Sequence, residues 1–357
     1  MKEPIRVLVA PLNWGLGHAT RCIPIIKKLL QNGFEVILAS DGRSLKLLQE
    51  EFPKLQIIEL PAYGIRYSKD NMIINIALQI PKILVAVWKE NNFIKEVIEN
   101  DKIDIILSDN RYGCKSKKAK NIFISHQINI IIPLKPLEWL VNKINHFLIN
   151  QFDECWIPDF PAENSLAGRL SKSDKLIKPK YLGTLSRMKE LNVENKYDII
   201  AVISGPEPQR TSFEKIIIKE FKATDQKCLV VQGRTELKEE IQINQNIKIV
   251  SFLNSKELSE AIQSSKLVIC RAGYSSIMDL VKLKKKAILV PTPGQTEQEY
   301  LASRLRDKKL FSIQQQTSFS LEKGLEKIAT CGNWKLPNSE ENRLEKLIFK
   351  LSNQKFN

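Results

Sequence analysis

Short runs of β-branched and apolar residues recur at Ile5–Ala10, Phe34–Ala39, Asp104–Ser108, Asn121–Ser125 and Glu154–Ile157, and the segments between them carry Leu and Ile at helical spacing. Runs of that length bounded by turn residues predict strands, and the longer periodic stretches predict helices. Such alternation implies a parallel sheet covered by helices, since each parallel pairing needs a crossover connection. After a polar stretch at Ser186–Lys196 the pattern restarts. Predicted strands at Asp198–Ser204, Cys228–Gln232, Ile247–Val250, Leu267–Cys270 and Ala287–Val290 alternate with helices near 211–223, 255–264, 273–284 and 296–308. The expected organisation is α/β throughout, with a first Rossmann-like domain at 1–183 and a second at 184–357. At 357 residues the chain is long enough for each domain to bury a core of its own. A final helical spacing within Ser339–Leu351 has no destination readable from the sequence.

Composition narrows the picture only a little. Hydrophobic residues make up 43% and charged residues 27%, the balance of a folded, soluble body. The net charge of +15 is spread over both halves: the first 183 residues hold 26 basic and 19 acidic side chains, the remainder 29 and 21. With no basic tail, no aromatic interleaving and no recognisable nucleic-acid module, a nucleic-acid partner is not expected. The densest cluster, Lys115, Lys117, Lys118 and Lys120, reads as a solvated loop. Six dispersed cysteines without a CxxC pair suggest neither a zinc site nor a disulfide framework, and no metal is expected. The N-terminus lacks the features of a secretory signal, and charges or prolines interrupt the apolar stretches 72–88 and 128–149, so a cytoplasmic protein is expected.

In parallel sheets of this kind ligands bind at the carboxyl ends of the strands, so candidate chemistry belongs in the turns there. The first strand runs into Pro11-Leu-Asn-Trp-Gly-Leu-Gly-His-Ala-Thr-Arg21. Gly15 and Gly17 let a ligand approach the backbone, and the following helix offers amide donors for an oxyanion or sugar hydroxyl, with His18 and Arg21 beside them. The same string also makes an ordinary tight turn with His18 as a cap. A second turn, Ser204-Gly-Pro-Glu-Pro-Gln-Arg-Thr-Ser-Phe213, suits a pyrophosphate, with Ser204 and Gly205 at the turn, Thr211 and Ser212 starting a helix, and Arg210 compensating charge. It reads equally as a proline-stiffened loop. The third turn begins Arg271-Ala-Gly-Tyr-Ser-Ser-Ile-Met-Asp279. There Gly273, Ser275 and Ser276 place small donors at a helix start, and Asp279 lies a turn further in, where a carboxylate takes paired ribose hydroxyls. Gln298 and Glu299, heading the next helix, both donate and accept toward sugar hydroxyls.

The stretch 271–302 resembles the donor-binding region of MurG-like transferases of glycosyltransferase family 28: Arg-Ala-Gly, small hydroxyl residues, an acidic residue, a Val-Pro strand end and a Gln-rich helix start. Gly15-Leu-Gly-His18 resembles the N-terminal loop of the same family. The resemblance implies the GT-B fold, two facing Rossmann-like domains with acceptor on the first, UDP-sugar on the second and reaction in the cleft. It places Asp279 on the uridine ribose, Gly273, Ser275 and Ser276 on the diphosphate, Gln298 and Glu299 on the sugar, and His18 near the reacting centre. Three departures stand out: Asp279 where the family usually has Glu, Glu299 in place of the second glutamine, and fewer glycines in the first loop.

The expected activity is metal-independent, inverting transfer of a hexosyl group, N-acetylglucosamine or a related hexosamine, from a UDP-sugar to a lipid-linked or glycan acceptor, without a cofactor. His18 is the candidate base. Asp109, in Ser108-Asp109-Asn110-Arg111, is an alternative base, a group that orients His18, or a turn residue. Helix-start amides aided by Arg210 or Arg271 would stabilise departing UDP. His126 ends another strand. Gly15–Cys22 also resembles the MurG-like UDP-sugar hydrolases of pseudaminic acid synthesis, in which the histidine would serve water; epimerisation and non-enzymatic binding are weaker alternatives. The segments 72–88 and 132–149, with Trp88, Trp139 and nearby lysines, suggest peripheral contact with an anionic membrane, or are simply sheet-covering helices.

Overall fold

The computed structural model describes residues 3–64, 72–234, 237–332 and 343–354. The chain forms two compact units, Met1–Leu185 with Leu336–Asn357, and Ser186–Lys335. In the first, the elements follow in the order β1 (Arg6–Pro11), α1 (Leu16–Gln31), β2 (Glu35–Ser40), α2 (Gly42–Glu51), β3 (Gln56–Glu59), α3 (Met72–Asp101), β4 (Ile105–Asp109), β5 (Lys120–Ile124), α4 (Lys135–Ile149), β6 (Glu154–Ile157) and β7 (Pro179–Tyr181). The sheet has the order β3-β2-β1-β4-β5-β6-β7, every pairing parallel. Its central strands are buried runs such as Val7–Ala10 and Ile105–Leu107, because helices cover both faces. The order reverses between β1 and β4, the switch point at which such sheets leave a crevice.

The second unit repeats the plan with β8 (Tyr197–Val202), α5 (Gln209–Lys222), β9 (Cys228–Val231), β10 (Glu240–Asn244), β11 (Ile247–Val250), α6 (Ser255–Gln263), β12 (Ser265–Cys270), α7 (Tyr274–Lys282), β13 (Ala287–Leu289), α8 (Thr296–Asp307), β14 (Ser312–Ile313) and α9 (Leu321–Ile328). Its sheet runs β10-β11-β9-β8-β12-β13-β14, and its switch point lies between β8 and β12. The core gathers Ile199, Ala201, Ile269 and Ile288 from one face of the sheet with Phe213, Ile217 and Phe221 of α5. The sheet is parallel as expected except at one edge, where β10 pairs antiparallel with β11. All five residues of β10 are exposed, so it lacks the apolar run that marks a buried strand.

The last helix, α10 (Arg343–Ser352), corrects the expectation that the second domain extends to residue 357. It packs on α1 of the first unit, where Glu345 approaches Lys28 at 3.4 Å and Ile348 and Leu351 are buried. Residues 339–342, at the start of the segment expected to be helical, lie outside the described residues.

Candidate active site

At the first switch point, β1 and β4 end side by side with Pro11 opposite Asp109. Asn13 fixes the loop that follows, donating to Asp41 at 3.1 Å and accepting from the Ser44 amide at 3.3 Å. Below it Arg111, wholly buried, binds Glu90 at 2.5 Å, Asp41 at 2.7 Å and the Pro61 carbonyl at 2.8 Å, so the strand ends are tied together. Gly15 starts α1 with φ of 87° and no side-chain cap, and a Cβ there would meet nothing within 4 Å. A left-handed conformation with open space above it is what only glycine supplies cheaply, and the helix start behind it favours an anion or hydroxyl.

In the first turn of α1, His18 Nδ1 lies 2.7 Å from Asp109 Oδ1. Arg21, on the same helix face, forks onto Asp109: Nε donates to Oδ2 at 2.5 Å and a terminal nitrogen donates to Oδ1. The other terminal nitrogen donates to His126 Nδ1 at 2.7 Å. Burial alone would push the Asp109 carboxyl up, yet the charges of Arg21 and His18 and their hydrogen bonds hold it down at about 2. Asp109 is thus a buried carboxylate. The Cys22 thiol, which donates to Asp109 Oδ2 at 3.6 Å, is pushed well above its usual range by burial and by that carboxylate, and stays protonated.

At the second switch point, Gly205 has φ of 113° in the turn after β8, and a Cβ built there would lie 3.7 Å from Thr292 Oγ1 and 4.0 Å from Arg271 Nε. Both of those atoms are buried without a hydrogen-bond partner. The rest of the Arg271 guanidinium is engaged by the Gln209 carbonyl at 2.9 Å and Gln316 Oε1 at 2.6 Å, and it stacks 4.1 Å from the Phe213 ring centroid. Burial lowers its pKa to about 10. Helices α5, α7 and α8, which follow β8, β12 and β13, are preceded by Pro208, Gly273 and Gln295, none of which caps the helix with its side chain, whereas α6, beyond an outer strand, has an Asn254/Glu257 capping box. Uncapped helix starts at a switch point favour an anion. On α7, Asp279 Oδ1 accepts from Ser186 Oγ at 2.6 Å; burial raises its pKa to about 6 against the pull of Arg187 and of that hydrogen bond.

Residues 199–352 match the glycosyltransferase family 28 C-terminal domain. A Methanosarcina acetivorans protein described as an uncharacterised glycosyltransferase is 24% identical over 330 residues, covering 85% of this chain and 82% of its own. A Thermoanaerobacter UDP-N-acetylglucosamine–N-acetylmuramyl-(pentapeptide) pyrophosphoryl-undecaprenol N-acetylglucosamine transferase is 21% identical over 310 residues, 80% of each chain. The protein is a glycosyltransferase with a family 28 C-terminal domain, and it resembles the MurG-like members of that family. Its GT-B fold is shared with solved glycosyltransferases, among them Acinetobacter baumannii MurG, with a TM-score of 0.56 at 14% identity over 98% of this chain and 100% of that one.

In the glycosyltransferase, the structure brings His18, Arg21 and Asp109 into one cluster, and gathers Gly205, Arg271 and Thr292 in another. It corrects three expectations. Arg21 is not a loop cation for substrate: it is buried and its guanidinium is occupied by Asp109 and His126. Arg210 is engaged by Glu207 and Glu214, both at 2.6 Å, and so does not offer an uncompensated charge. Helix α5 starts at Gln209, before Thr211 and Ser212, so those hydroxyls do not cap it. Ser204 is an exposed turn residue; Ser275 and Ser276 lie in the first turn of α7, beside Gly273. Gln298 and Glu299 turn back onto their own loop, accepting from the Thr292 and Gly294 amides at 2.9 and 3.0 Å. The residues not singled out as binding groups from the sequence are Ser186, Thr292 and, as a partner of Arg21, His126. Thr292 follows a strand end, a position that marks ligand contacts; Ser186 carries no local signal.

Proposed function

We propose that the glycosyltransferase moves an N-acetylhexosaminyl group, with inversion and without a metal ion, from a UDP-sugar to a lipid-linked or glycan acceptor. The observation that carries this reading is His18, held through Nδ1 by a buried carboxylate at an uncapped, glycine-opened helix start. With Nδ1–H donating its hydrogen bond to Asp109, Nε2 is the basic nitrogen and takes the acceptor hydroxyl proton. The hydroxyl oxygen then bonds to the anomeric carbon as the bond to the diphosphate breaks, and the electron pair leaves with UDP. A single displacement of this kind inverts the configuration. The name of the Thermoanaerobacter relative supports UDP-N-acetylglucosamine as donor. Asp279 supports a ribose contact. Two buried, unpartnered donors over Gly205 support a diphosphate there, because an anion would satisfy polar atoms that otherwise cost about 1–3 kcal/mol each.

A donor screen tests the reading: UDP release is followed for a panel of UDP-sugars, with and without lipid extract. Release with a UDP-hexosamine that rises steeply on adding extract is expected; equally rapid release into water alone would overturn transfer in favour of hydrolysis.

The acceptor side extends this proposal to a membrane surface. Among the described residues no helix is long and apolar enough to cross a membrane. Yet α4 exposes Leu140, Ile144 and Phe147, spaced i, i+4, i+7, with Trp139 64% exposed and the Lys143 ammonium 5.1 Å from its ring centroid. In α3, Leu84, Val85 and Trp88 are exposed between Lys82 and Lys89. Lysine-flanked apolar faces with tryptophan suit the headgroup region of an anionic bilayer. The protein should float with anionic liposomes more than with neutral ones, and salt should weaken the binding. Trp139→Ser combined with Phe147→Ser should reduce flotation several-fold; flotation indifferent to lipid charge and to these changes would remove the membrane from the proposal.

A further inference from the structure

The guanidinium of Arg21 touches Asp109, His18 and His126, and of these the carboxylate is the one that needs a counter-charge. Nε and one terminal nitrogen fork onto Asp109, and that same terminal nitrogen lies 2.9 Å from His18 Nδ1. The other terminal nitrogen is 2.7 Å from His126 Nδ1. An arginine nitrogen only donates, so His126 Nδ1 has to be the bare, accepting nitrogen, and the neutral ring carries its proton on Nε2. At His18 the order is reversed. Its Nδ1 lies between Asp109 Oδ1 at 2.7 Å and that Arg21 terminal nitrogen at 2.9 Å; the arginine nitrogen already donates to Oδ1, so the shorter contact, to a carboxylate that only accepts, sets Nδ1 as the proton carrier and leaves Nε2 bare.

We propose that Arg21 is a positioning residue that holds the two imidazoles in complementary protonation states, His18 as a proton acceptor at Nε2 and His126 as a proton-bearing donor at Nε2. The proposal rests on the reading of His18 as base and adds how the tautomer of that base is set and kept distinct from its neighbour's. The groups facing the pair include Asp109 at the end of β4, Arg21 and Cys22 on α1, and His126 after β5. Asp109 alone would favour a cationic His18, which cannot accept a proton. Arg21, permanently charged, offsets that carboxylate and at the same time opposes protonation of His126 Nδ1. One cation therefore serves both rings. Lysine in its place keeps the charge and loses the fork.

The chain has three histidines, His18, His126 and His146, so nitrogen spectra of protein labelled with 15N-histidine are resolvable residue by residue, the third being assigned from His146→Gln. In the wild-type protein, without donor or acceptor, His18 is expected as the Nδ1–H tautomer and His126 as the Nε2–H tautomer. In Arg21→Met both signals should lose their single-tautomer signature, and the acid limb of the pH–rate profile should move up by about 1 pH unit or more, because the carboxylate is no longer offset. In Arg21→Lys the limb should stay closer to wild type while His126 loses its fixed tautomer. A wild-type His126 protonated on Nδ1 overturns the proposal, and so do unchanged tautomers and an unmoved limb in folded Arg21→Met. If Arg21→Met does not fold, the wild-type spectrum and Arg21→Lys decide. The tautomers are read without turnover, so a His18→Ala enzyme that stays active would sink the base reading alone.

Discussion

Replacing His18 with alanine is expected to lower sugar transfer by ~10²–10⁴-fold, the usual cost of removing a general base, and to leave UDP affinity near wild type. Binding and turnover separate because the residues proposed to hold UDP all lie in the second unit, Ser186–Lys335, whereas His18 belongs to the first. Asp109→Asn makes the companion test. An amide nitrogen opposite His18 Nδ1 would donate to it, move the proton to Nε2 and abolish the basic nitrogen while keeping the shape. In serine-protease triads that change costs about 10⁴-fold. Both variants take the counter-charge from the buried Arg21 cation, a loss of about 3–5 kcal/mol, so folding is checked for each; Asp109→Ala is the less informative because it also removes every hydrogen-bonding atom at the position. Calorimetric UDP affinity together with UDP release, each with and without acceptor, checks both expectations. Unchanged turnover in His18→Ala would end its assignment as base.

The second large effect is expected at Asp279. Removing a charged hydrogen-bond acceptor costs about 1.5–3 kcal/mol, so Asp279→Ala should weaken UDP binding by ~10–150-fold with the fold intact. Ser186 occupies one carboxylate oxygen and leaves the other for a ribose hydroxyl. The pH dependence has a definite sign. Burial raises the folded carboxyl to about 6, above its ordinary value near ~3.9, so its contribution to folding is complete below pH ~4 and is lost as pH rises through about 6. Ribose hydroxyls favour the ionised form, so UDP affinity should climb between pH 5 and 7, and the UDP-induced rise in Tm should be larger at pH 7.5 than at 5.5. Asp279→Asn should flatten both. A wild-type affinity independent of pH over that range would remove Asp279 from the ribose.

By itself the sequence determined the fold class and singled out the glycine-containing turns proposed to hold ligands. Buried parallel strands must be continuous apolar runs, and turns that admit a ligand must contain glycine at positions such as Gly15 and Gly205, so both are written locally. The Arg271–Asp279 string carried the family for the same reason: its spacing along one helix start is a local property. What the tertiary structure decided were contacts between distant residues and the direction of long side chains. Arg21 and Asp109 are 88 positions apart, and only the adjacency of β1 and β4 makes them partners. A flexible arginine in a glycine loop looks like a ligand for anions, yet its stem reaches inward far enough to become a buried strut, while Arg210 closes onto glutamates three and four residues away. The edge strand β10 and the return of α10 to the first unit escaped the pattern because an exposed strand needs no apolar run, and an amphipathic helix shows which face it buries without showing against what.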